Sequence, residues 1–135
     1  MVKLIVGLKG TGKTKTLIDM VNEAAASSAG SVICLEQGDK LRYDINYQVR
    51  LVDTSAYGIS GADALGGFVC GMYASNHDIT HIFIDSAIKM CGKDIDQFAS
   101  FFRSAADFAE KNGIDLVVTS SITTDDVAED LKKYL

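Results

Sequence analysis

The chain has 135 residues, 47% hydrophobic and 23% charged, which is enough apolar matter for one packed core and too little length for a second full domain. Its net charge of -5 and sequence pI near 4.8 argue against a nucleic-acid face, because phosphate backbones reward clustered Lys and Arg. No apolar run approaches the roughly 20 residues that span a bilayer, and the start reads as a strand rather than a secretory leader. A single cytoplasmic domain over residues 1–135 is expected, without nucleic-acid or membrane partners.

In chain order, Val2 to Val6 form a strand-sized apolar run that enters a glycine-rich stretch. Leu17, Met20, Val21 and Ala24 then recur at helical spacing, and Gly30 supplies a stop. Residues 31–35 read as a second strand. From 41 to 51 the apolar residues alternate (Leu41, Tyr43, Ile45, Tyr47, Val49, Leu51), the period of extended chain or of a hairpin turning near 44–46, with a strand at 48–52. Leu65, Phe68, Val69 and Met72 mark a second helix. Its Gly66, Gly67 and Gly71 each lower helix propensity by about 1 kcal/mol relative to Ala, so close packing against a neighbour is expected to compensate.

Residues 80–84 form an apolar strand ending in Asp85. Asp94, with Gln97 three positions on, opens a third helix carrying Ile95, Phe98, Phe102, Ala105 and Ala109 up to Asn112-Gly113. Phe98, Phe101, Phe102 and Phe108 are read as core. Residues 115–119 form a last strand, and a closing helix is expected from Thr124-Asp125-Asp126 to Lys132-Lys133, with charges placed as the helix dipole prefers. Cys34, Cys70 and Cys91 are an odd set without metal-binding spacing and are expected to be reduced, buried thiols. Strands alternating with helices predict a three-layer α/β/α fold around a mostly parallel sheet of about five strands.

The stretch Gly7-Leu8-Lys9-Gly10-Thr11-Gly12-Lys13-Thr14 matches GxxxxGK[ST] in full, after a predicted strand and before a predicted helix. Glycines let successive amides turn inward around an anion, and the helix N-terminus adds unpaired donors and partial positive charge. Gly10, Thr11 and Gly12 would line a phosphate chain, and Lys13 would reach the β- and γ-phosphates. Thr14 would ligate Mg²⁺, and the amides of Lys15 and Thr16 would meet the α-phosphate. Asp85 is the expected second metal holder, with Asp53 as the competing strand-end carboxylate.

On these residues the chain resembles the P-loop nucleoside triphosphatases, over essentially its full length, with a Walker A loop and a Walker B strand in His81-Ile82-Phe83-Ile84-Asp85. The resemblance implies ATP and Mg²⁺ as ligands, and a sheet in which the phosphate-loop strand sits beside strand 115–119 with the Asp85 strand next outward. The GTPase base-reading motif is absent, so ATP is the default. Where many additional-strand ATPases carry a catalytic glutamate, this chain has Ser86, and a hydroxyl cannot act as that base. Glu36 is the candidate to orient water in its place, and Ser120 or Ser121 to sense the γ-phosphate. An arginine finger would have to come from Arg42, Arg50 or Arg103. The expected function is a Mg-dependent ATPase that is slow or stimulated by a protein partner or a second copy. The alternatives are a nucleotide-dependent interaction module and a small-molecule kinase, the last weakened by the scarcity of arginine.

Overall fold

All five strands run parallel, and the sheet order is β1-β5-β4-β2-β3 in a computed structural model that describes residues 1–135. The strands are β1 (Val2–Val6), β2 (Ser31–Glu36), β3 (Arg50–Asp53), β4 (Ile79–Ile84) and β5 (Asp115–Ser120). The helices are α1 (Lys13–Ser27), α2 (Ala62–Ser75), the single turn α3 (Ala87–Met90) and α4 (Ile95–Asn112). The expected α/β architecture is therefore present, and β5 lies between the strand that feeds the glycine loop and the strand that ends at Asp85.

Near-continuous Val, Ile and Leu runs form these strands because both sheet faces are covered. On one face, Leu17, Val21 and Ala24 of α1 pack with Val32, Cys34, Phe83 and Val117. On the other, α2 and α4 cover Leu4, Ile33, Leu35, Ile82, Ile84 and Leu116, with Phe98, Phe101 and Phe102 fully buried as expected of core residues. Strand alternation then assigns the strand ends. Glu36 and Asp85 follow Cys34 and Phe83 by two residues and so fall on the α1 side of the sheet.

Several expectations are corrected. Residues 41–49 form neither extended chain nor a hairpin: they are a string of turns, and β3 begins only at Arg50. Leu41, Ile45 and Val49 are buried four apart, whereas Tyr43 and Tyr47 are 85% and 91% exposed. The Asn22 side chain of α1 pins the segment, its Nδ2 donating to the Asp44 carbonyl (2.8 Å) and its Oδ1 accepting from the Asn46 amide (2.8 Å). The C-terminus winds as two 3₁₀ pieces, Thr124–Asp126 and Glu129–Tyr134, rather than one α-helix. Short 3₁₀ turns are common connectors and here bury Val127 and Leu131.

The glycines of α2 have no tight neighbour to explain them, since a Cβ at Gly66, Gly67 or Gly71 would meet nothing within 4 Å. Gly66 and Gly67 instead line a small groove of about 220 Å³ between α2 and α4. Of the cysteines, Cys34 and Cys91 are buried but Cys70 is exposed. Burial pushes the Cys91 thiol up to about 11 and the Cys34 thiol further, so both are inert at neutral pH.

Candidate functional site

Because every strand is parallel, the connections that follow β1, β2, β4 and β5 emerge at one edge of the sheet, the usual place for ligands in open α/β folds. There they enclose a cleft of about 700 Å³. The loop after β1 is shaped by two glycines, Gly10 and Gly12, both at φ 87, a region costly for other residues. Gly12 is the N-cap of α1, and it offers no side chain to the helix amides. Gly10, Gly12, Lys13, Thr14 and Lys15 all line the cleft.

Lys13 is buried to 8% exposure and its Nζ donates to the Leu8 carbonyl at 3.0 Å, so the ammonium arches back over the loop. Thr14 Oγ1 lies 3.3 Å from both carboxylate oxygens of Asp85. Asp85 is itself held from below: Thr119 Oγ1 donates to Asp85 Oδ1 (2.8 Å) and accepts from the Ser86 amide (2.8 Å). Thr119 is fully buried, so this contact fixes the direction of the Asp85 side chain. Ser86 takes up a left-handed conformation (φ 57) that turns the chain sharply from β4 into α3.

Thr11 and Thr16 do not line the cleft. The Thr11 hydroxyl donates to the Leu8 carbonyl (2.7 Å), and the hydroxyl and amide of Thr16 both donate to the Gly12 carbonyl (3.1 Å), so the Thr16 amide expected to meet an α-phosphate already has a partner. Glu36 does line the cleft, 4% exposed, and its two oxygens accept from the amides of Lys40 (3.0 Å) and Leu41 (3.2 Å). Burial holds its carboxyl above the ordinary range, although those two amides pull it back down. Ser120 is kept out of the cleft, and its buried hydroxyl has no hydrogen-bond partner. Strand alternation brings Ser121, not Ser120, to the lining.

Asp53 is removed as a competitor for Asp85. Its Oδ1 accepts from the Gly38 amide and from the amide and hydroxyl of Ser55, and these bonds, led by the hydroxyl, hold its carboxyl below the usual range. None of the three arginines lines the cleft. Arg103 forms a bidentate pair with Asp130 at 2.7 and 3.0 Å on the outer surface.

Two groups of residues in the site had no signature in the sequence. Thr119 was visible only as the polar end of a strand, and its grip on Asp85 depends on β4 and β5 being neighbours. Lys40, Lys89 and Lys93 reach the cleft from connections far apart in sequence, so no spacing joins them. Comparison with protein-family models and with curated proteins finds no match for this sequence. No helix is long and apolar enough to cross a membrane.

Proposed function

We propose that this chain is a cytoplasmic P-loop-type protein that binds a magnesium-complexed nucleoside triphosphate, with ATP as the reference ligand, and hydrolyses it slowly or only when a partner completes the site. The observation that carries this reading is the meeting of Thr14, from the start of α1, with Asp85, from a strand two positions across the sheet, beside the buried Lys13. A solvated strand-end aspartate would need no such partner.

The donor set suits magnesium. Thr14 Oγ1 and the Asp85 carboxylate are hard oxygen donors, and no cluster of three or more His, Cys, Asp or Glu forms a self-sufficient cage. Mg²⁺ is commonly held in this way, by one or two protein oxygens together with phosphate and water. When bound, it would supply charge neutralisation at the phosphates. In this reading the protein's part is to orient: Thr119 aims Asp85, the loop amides and Lys13 hold the phosphate chain, and Glu36 stands at the cleft wall.

Slow turnover follows from what surrounds the phosphates. Ser86 offers no carboxylate, and both oxygens of Glu36 already hold backbone amides. If Glu36 also orients water, Glu36→Gln will retain binding and suppress phosphate release; equal release from both proteins rules that role out. The same occupancy of Glu36 favours a second reading, in which the bound nucleotide orders the cleft for a partner with negligible turnover. Transfer to a small acceptor is a third, and would show as phosphate passing to that acceptor faster than to water.

The deciding experiment is thermal unfolding with and without nucleotide and magnesium. At about 100 times its dissociation constant, Mg-ATP stabilises the fold by about 2.7 kcal/mol. No shift with any nucleotide at millimolar concentration rejects the proposal.

A further inference from the structure

Small-molecule pockets are lined mainly by hydrophobic and aromatic side chains, with a few polar groups that fix orientation. This cleft inverts that pattern. Of the fifteen residues lining it, only Leu41 is apolar and none is aromatic. The exposed tyrosines are elsewhere: Tyr43 and Tyr47 project from the turns after β2, and the Tyr57 ring lies 5.9 Å from that of Phe68.

Charge tells the same story. Six of the chain's ten lysines line this one cleft, in a protein whose net charge is -5; the lining itself holds two acids, Glu36 and Asp85, and Lys15 Nζ also pairs with Asp19 at 3.5 Å outside it. Lys9, Lys13 and Lys15 belong to the glycine loop and the first turn of α1. Lys40, Lys89 and Lys93 do not, and their backbones are tied down. The Lys40 amide donates to Glu36 Oε1 at 3.0 Å, the Lys89 amide to the Ser86 carbonyl at 3.0 Å, and the Lys93 amide to the Ile88 carbonyl at 2.8 Å. Lys93 also sits at φ 59, directly after Gly92 at φ 69. A lysine in that conformation is strained relative to glycine, so the fold carries Lys93 in the cleft lining at some cost in stability.

We propose that the cleft recognises a phosphate chain rather than a nucleoside, with Lys40, Lys89 and Lys93 extending the anion-binding surface beyond the loop, so that its ligands are magnesium polyphosphates with or without a base. The inference rests on the triphosphate-binding reading above and specifies its substrate class. A polyphosphate needs donors and positive charge, which this lining supplies. A purine or pyrimidine needs a flat apolar or aromatic partner, which it lacks.

The test is isothermal titration of the full chain at fixed magnesium and ionic strength with ATP, GTP, CTP and inorganic tripolyphosphate. The four dissociation constants are expected within about threefold of one another. A variant combining Lys40→Gln, Lys89→Gln and Lys93→Gln keeps its ligand-free melting temperature, binds all four about tenfold more weakly, and shows a flatter salt dependence. ATP binding more than about tenfold tighter than tripolyphosphate overturns the inference. Undiminished affinity in the triple variant overturns the role of the three lysines. If none of the four binds the folded chain, the triphosphate-binding reading itself falls, whereas ATP binding without tripolyphosphate binding defeats the inference alone.

Discussion

Helices α1 and α2 start from the same kind of residue and are then treated differently. Each begins after a glycine at positive φ, Gly12 at 87 and Gly61 at 93, and neither glycine can cap the turn with a side chain. At α2 the rest of the protein finishes the job. Gln97, reaching across from α4, accepts the Ala62 amide at 3.0 Å, and Asp63 places a negative charge in the first turn. At α1 there is no acid in the first turn; Lys13 and Lys15 stand there instead, beside an open cleft. Lys15 Nζ pairs with Asp19 one turn on (3.5 Å) and Lys13 Nζ with the Leu8 carbonyl, which leaves the first-turn amides and the positive dipole end without a negative partner. The difference is that the first turn of α2 is capped from within the protein, whereas that of α1 is left facing the cleft.

The largest expected break in this comparison comes from Lys13→Ala, which should erase the whole nucleotide-linked stabilisation of about 2.7 kcal/mol in thermal unfolding. A persistent shift would mean that the open start of α1 is not where nucleotide acts. Next, Gln97→Ala leaves the Ala62 amide without its acceptor and should destabilise the chain by about 1–2 kcal/mol in denaturant, with the nucleotide shift intact. Loss of both would show that the two helix starts are coupled.

Gly67→Ala should raise stability by about 0.5–1 kcal/mol, because the site is helical and a Cβ there meets nothing within 4 Å. A loss would reveal a constraint on α2 beyond its own helix. The smallest effect is expected from Asp63→Asn, about 0.3–1 kcal/mol at low ionic strength and fading as salt is added. An effect insensitive to salt would mean that Asp63 acts through something other than the helix dipole.

Most of the sheet was legible because fully covered parallel strands leave short runs of Val, Ile and Leu that little else produces. The glycine loop was legible because its spacing is local, with strand, turn and helix following one another without interruption. What was not legible was long-range or doubly periodic. Apolar residues at every second position from Leu41 to Leu51 contain a subset at every fourth, and tyrosine tolerates either side of an interface. The inward turn of Leu41, Ile45 and Val49 goes with long-range clamps by Asn22 and Glu36, which no local pattern reveals. Gln97 looked like the second half of a capping box for α4. Asp94 does accept the Gln97 amide at 2.9 Å, but the Gln97 side chain serves a different helix. The choice between Ser120 and Ser121 turned on which of two adjacent positions faces the cleft, since neighbouring residues along a strand point to opposite sides.

Asn22 grips the backbone after β2 at two points, and it does so from the third turn of the helix whose opening residues border the cleft. That helix and the tyrosine-bearing turns are thus joined like a lever and its handle. A displacement of that helix would therefore be passed directly to the backbone that carries the exposed Tyr43 and Tyr47.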